Sequence, residues 1–114
     1  MSGDGSASGM VDMQVLEQQL AMVETEAGTL ELAARLDAQG DLTGAASVLE
    51  RYLIANRNAV LARAEYAIAL CRLDDVRAGL VETAKLASIP AGPDVMQRVA
   101  KVCGPAQALA EQAG

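Results

Sequence analysis

The chain has 114 residues, room for about one domain with a core of its own. Apolar residues make up 52% of it while the aromatic residues are Tyr52 and Tyr66 alone, so any core must be built from Ala, Leu, Val, Ile and Met, which favours packed helices over strands. The net charge of -6, with nine cations scattered from Arg35 to Lys101 and almost nothing to stack on bases, argues against a nucleic-acid partner.

No apolar run approaches the ~18 residues of a membrane span, and no basic stretch leads into an apolar one at the start, so the chain is expected to be neither inserted nor visibly exported. Residues 1–9, reading SGDGSASG from Ser2 to Gly9, have the composition of a flexible tail or a cloning linker; in the second case an export signal would be hidden. Residues 10–114 read as a single helical domain. Met13, Leu16, Leu20, Val23 and Ala27 recur at steps of three and four, one face of a helix that Gly28 would stop. Such a stripe suits packing on its own domain or pairing with a second copy.

Thr29 is a reasonable N-cap for the next helix, which carries Leu30, Leu32, Ala33 and Leu36 and ends at Gln39-Gly40. Gly40-Asp41 makes the turn, because glycine takes the left-handed conformation and the Asp carboxylate accepts from free N–H groups of the following helix. That helix runs from about Leu42 to Ala55 and buries Ala45, Val48, Leu49, Tyr52 and Leu53. Asn58 then caps Ala59 to Arg72, with Ala62, Tyr66, Ala67, Ala69 and Leu70 inward, and Asp74-Asp75 repeats the turn without the glycine. Val76 to about Ser88 forms the next helix, with Leu80, Thr83, Ala84 and Leu86 inward. Pro90 and Pro93 interrupt it, each removing a donor and restraining its neighbour. Asp94 with Gln97 reads as a capping box for a short helix through Val102, and a helical or frayed tail follows Gly104-Pro105.

Leu32 to Tyr52 overlays Tyr66 to Leu86 at a shift of 34 residues, which brings Glu31 onto Glu65, Ala33 onto Ala67, Leu36 onto Leu70 and Asp41 onto Asp75. A period of that length is one helical hairpin that buries its apolar side on the next. These residues resemble tetratricopeptide repeats, with one repeat at about 26–57 and a more degenerate one at about 60–89. Leu32 and Ala33 stand where that family has Leu-Gly, Leu36 where it has Tyr, Gly40-Asp41 at its turn, and Ala45, Leu49 and Tyr52 at its Ala, Phe and Ala positions. Tyr66-Ala67, Leu70, Asp74-Asp75, Gly79 and Leu86 take the corresponding places in the second copy, while the early Trp is replaced by Thr29 and Arg63 and the terminal Pro by Arg57. The resemblance implies an all-α stack of two hairpins with an N-terminal helix and a C-terminal capping helix. Its inner groove would hold a peptide or a partner helix, without catalysis.

Carried over position by position, the groove would be lined by Leu30, Ala34 and Asp37 from the first pair and Leu61, Ala64, Glu65 and Ile68 from the second. The Lys, Asn and Arg with which one subgroup of the family clamps a C-terminal carboxylate are missing at these positions. An apolar floor edged by Asp37 and Glu65 would suit an amphipathic or basic helix. Residues 10–27 are the alternative occupant.

The chain has no His, which removes the commonest general base and zinc ligand, and it carries neither a Gly-rich phosphate loop nor a Gly-x-Ser-x-Gly elbow. Asp74-Asp75 and the pair Glu24 and Glu26 read as caps and solvated faces, and no loop offers the alternating acids of a calcium site, so no catalytic residue, metal or cofactor is expected. Cys71 and Cys103 lie 32 residues apart, close to one period, which puts them on neighbouring helices roughly 10 Å apart at their axes. They either pair or stay as small buried apolar residues. A bridge would contribute about 3 to 4 kcal/mol by loop closure. It would also mean an oxidising compartment, in bacteria the periplasm, with the cytoplasm as the alternative. The text from Leu70 to Asp75 and from Val102 to Gly104 is similar to exported repeat proteins of Gram-negative bacteria.

The expected function is a non-catalytic protein-protein interaction module, an adaptor or assembly scaffold for another protein or an amphipathic helix. A self-assembling homo-oligomer is the second reading, since two repeats leave end faces to cover. An enzyme or cofactor carrier is a distant third.

Overall fold

Hydrogen-bonding chemistry at the helix ends decides where this chain turns. The computed structural model describes residues 25–104, which form five helices: α1 Glu26–Ala38, α2 Leu42–Ala55, α3 Val60–Arg72, α4 Val76–Ser88 and α5 Pro93–Cys103. The fold is all-α. The N-terminal helix expected from Met10 to Ala27 falls almost wholly outside the described residues, as do the expected flexible residues 1–9 and the tail after Gly104.

Helices α2 and α4 have the expected bounds, whereas the other N-termini differ. Thr25, not Thr29, caps α1: its Oγ1 accepts from the Gly28 N–H at 2.9 Å, so Gly28 sits buried in the first turn instead of stopping a helix. A tertiary bond fixes this choice, because Glu26 Oε2 accepts from the Ala62 N–H of α3 at 3.0 Å. Asn58 does not cap α3; Ala59 occupies the N-cap without a side-chain bond, and its carbonyl accepts from the Arg63 N–H. The Asp94 and Gln97 capping box is likewise absent: Gly92, at φ +87°, is the N-cap of α5, and Pro93 follows at the first turn, where no N–H is needed.

The two hairpin turns are copies of each other. Glu26 and Val60 open α1 and α3, and Leu42 and Val76 open α2 and α4, each pair 34 residues apart as in the sequence overlay. In the first turn the Asp41 N–H reaches the Leu36 carbonyl at 2.8 Å and Gly40 reaches Asp37 at 2.9 Å; in the second, Asp75 reaches Leu70 at 2.9 Å and Asp74 reaches Cys71 at 3.1 Å. Both close the last helical turn in the manner that favours a left-handed residue. That residue is Gly40 at φ +84° in one copy and Asp74 at φ +66° in the other. An L side chain pays for this conformation, so Asp74→Gly is expected to raise stability by about 0.5–1 kcal/mol, net of glycine's greater freedom when unfolded. A thermal melt checks it; a lowered melting temperature would mean that the Asp74 side chain stabilises the turn.

Helix α1 packs on α2, α2 on α3 and α3 on α4, while α1 also touches α3, and α5 lies across α3 and α4. Helix α3 is the central element. Its Ala62, Ala64, Ala67 and Ala69 are all buried, and these small side chains let neighbours approach on several sides. One core cluster joins Ala33, Ala45, Leu49, Leu53 and Ala62; a second joins Ala67, Ile68, Leu80, Leu86 and Val99. Ala84, expected inward, is exposed, since α4 turns Leu80, Thr83 and Leu86 to the core and leaves its other side to solvent.

Cys71 at the end of α3 and Cys103 at the end of α5 form a disulfide with Cα atoms 5.4 Å apart. Gly79 of α4 makes room for it: a Cβ there would lie 2.1 Å from Cys71 Sγ and 3.0 Å from the Ala67 carbonyl oxygen. The glycine that matched a family position in sequence therefore has a local reason, the close passage of α4 over the bridge. Exposed Asp94, Gln97 and Lys101 give α5 a polar outer side where it lies across α3 and α4.

Candidate interaction cleft

Residues spaced by four and three along α1 share one side of that helix, and Leu30, Ala34 and Asp37 have this spacing. They line a cleft of about 380 Å³ together with Glu65 and Ile68 of α3, over a floor of Leu42, Ala45 and Leu49 from α2. Five of the seven groove positions read from the sequence are thus brought to one place. The other two are not. Ala64 is 2% exposed and belongs to the core, and Leu61, though 49% exposed, lies at the start of α3 outside the cleft.

The rim differs electrostatically from the acidic edge expected of Asp37 and Glu65. Arg72 Nη1 donates to Asp37 Oδ2 at 2.8 Å, and Arg98 of α5 pairs with Glu65. The hydrogen bond that Arg72 donates to Asp37, and then the Asp37 charge, hold the Arg72 guanidinium above its ordinary pKa. Each rim carboxylate is neutralised within the chain, and α5 supplies one wall of the cleft through Arg98. Sequence reasoning missed both arginines. A usable signal was present, because the pairs are separated by 35 and 33 residues, close to the repeat length, so opposite charges one period apart meet on adjacent helices.

A second cleft, of about 460 Å³, opens between α2 and α4, which do not pack closely on each other. Its lining includes Arg63 of α3. Arg63 and Glu82 are 8% and 7% exposed and form a buried ion pair, Arg63 Nη2 also donates to the Arg57 carbonyl at 2.7 Å, and Lys85 Nζ lies 2.9 Å from Glu82 Oε2. Every buried side-chain polar atom among the described residues has a partner.

Tyr66 also lines this cleft and donates its hydroxyl to Glu50 Oε2 at 3.0 Å. Burial, reinforced by the Glu50 hydrogen bond and charge, pushes the phenol up to about 12. The fold thus favours the neutral phenol, and the stability this contributes is whole below the ordinary value of about 10 and is lost as pH rises through about 12. An ultraviolet titration of a Tyr52→Phe variant should show a phenolate midpoint near 12 that falls in Glu50→Gln; a midpoint near 10 would contradict both the burial of the phenol and its hydrogen bond.

Among the described residues no group of three His, Cys, Asp or Glu is placed to hold a metal ion, and no helix is long and apolar enough to cross a membrane. Comparison with protein-family models, curated proteins and solved structures finds no match to this chain.

Proposed function

We propose that this chain is a non-catalytic adaptor or assembly scaffold of the tetratricopeptide type, holding the apolar side of a partner's amphipathic helix in the cleft between α1, α3 and α5. The observation that carries the reading is the convergence of Leu30, Ala34, Asp37, Glu65 and Ile68 on one open cleft with an apolar floor. The cis-paired rim refines the partner. With Asp37 and Glu65 already neutralised, a basic helix gains little, and an apolar face with a mixed polar back is the better fit. The polar outer side of α5 speaks against end-to-end stacking at that end. The bridge supports an oxidising compartment such as the periplasm.

Ala34 is exposed and lines the cleft, so Ala34→Arg should obstruct it without disturbing the core. A protein captured by the native chain from its source cells should be lost, by at least about tenfold in affinity, with Ala34→Arg, while the far-ultraviolet circular dichroism stays the same. Because the rim has no uncompensated charge, that affinity should change little between low and high salt. Equal capture by both forms would remove the cleft from the account.

A further inference from the structure

Residues 10–24 carry an apolar stripe that the reading above leaves unused, and the second cleft offers a seat whose chemistry matches it. We propose that this segment of the chain docks in the cleft between α2 and α4, against Ile54 and Arg57.

The apolar side of the match is Ile54, 76% exposed at the end of α2, the most exposed of the large apolar residues described. Met13, Leu16, Leu20 and Val23, at helical spacing, provide the complement. Charge points the same way. The cleft carries Arg57, Arg63 and Lys85 against Glu50 and Glu82, an excess of positive charge on a chain of net charge -6. Arg63 and Lys85 share the single carboxylate of Glu82, and Arg57 has no ion pair among the described residues. Residues 1–24 hold no Lys or Arg and four acids, Asp4, Asp12, Glu17 and Glu24. Glu17 and Glu24 stand four residues after Met13 and Leu20, at the margin of the stripe, where they would meet cations beside an apolar seat.

The point where the segment joins the fold is also suitable. Thr25 caps α1, and Glu26 is bonded to the Ala62 N–H, so the chain enters beside the start of α3, the same end at which Arg57 and Asn58 line the cleft. At the helical rise of about 1.5 Å per residue, fifteen residues would span about 22 Å, close to the length of α4. Tethering raises the local concentration of the segment to the order of millimolar, so a modest patch is sufficient to hold it.

Amide hydrogen exchange of the full chain, read residue by residue by NMR, tests this. Amides of residues 13–23 should exchange at least about tenfold slower than in an unstructured peptide of the same sequence. That protection should disappear in Ile54→Asp with Arg57→Glu, while the Leu49 and Leu80 amides keep theirs and so certify the fold. The proposal is overturned if residues 13–23 are unprotected in the native chain or keep their protection in the double variant. It is equally overturned if protection is lost with Ala34→Arg instead, which would seat the segment in the first cleft, or lost on dilution, which would make a second copy the donor.

Discussion

Reducing the Cys71–Cys103 bridge is expected to lower the stability of this protein by about 4 kcal/mol, a large share of the total for a domain of this size. The two residues close a loop across 32 positions, and opening it returns that much loop entropy to the unfolded chain. The bridge also holds α5 in place. That helix has eleven residues and two buried side chains, Val99 and Cys103, with Val95 and Met96 partly buried beside them, so the bridge carries one of its two deepest anchors. Denaturant titrations with and without a dithiol reductant, and of Cys71→Ser with Cys103→Ser, should show the same drop in midpoint. Because Arg98 forms one wall of the first cleft, partner binding should weaken with it. An unchanged midpoint would mean that α5 is held by packing alone.

The second large effect is expected at Arg63 and Glu82. Both side chains are 9% exposed, so deleting Glu82 leaves the Arg63 guanidinium a desolvated charge with no carboxylate counterpart. Glu82→Ala should cost about 3–5 kcal/mol, whereas replacing both, as in Arg63→Met with Glu82→Leu, should be close to neutral or stabilising. The asymmetry arises because the pair spends much of its attraction offsetting desolvation, while apolar side chains of similar volume incur no such cost. Lys85 reduces the loss in Arg63→Met, since it still contacts Glu82, so that single variant should be the milder one. Chemical denaturation of the two singles and the double closes the cycle. Additive losses would mean that the two charges act independently and that each is solvated through the cleft mouth.

The legible parts of this fold are those where chemistry is local. The shift of 34 residues appears in the sequence because Asp41 and Asp75 must each cap a following helix, and the same offset reappears in the helix starts. Buried positions such as Leu49, Ala67 and Leu80 follow from periodicity alone. Helix α1 was harder, since Thr25 and Thr29 are both competent caps and the choice depends on Glu26 reaching an N–H 36 residues away. Ala59 carries no capping side chain, so nothing in its chemistry announces a helix start, whereas at α5 the Gly92-Pro93 step competes with Asp94 as the start signal. In the cleft, the apolar positions of α1 were legible from spacing. Arg72 and Arg98 were not, because a groove read one helix at a time omits what the next helix brings to its rim. Arg63 looked like a defect in the repeat pattern; its reason, Glu82, is 19 residues away on another helix.

Site-specific photo-cross-linking tests the central claim most directly. A benzophenone side chain would be placed at Ala34, inside the first cleft, and in a separate protein at Leu61, which is exposed but outside it. In the source cells, illumination should yield a discrete cross-linked partner from position 34 and none from position 61. Equal products from both positions, or a product from 61 alone, would contradict a binding site between α1, α3 and α5.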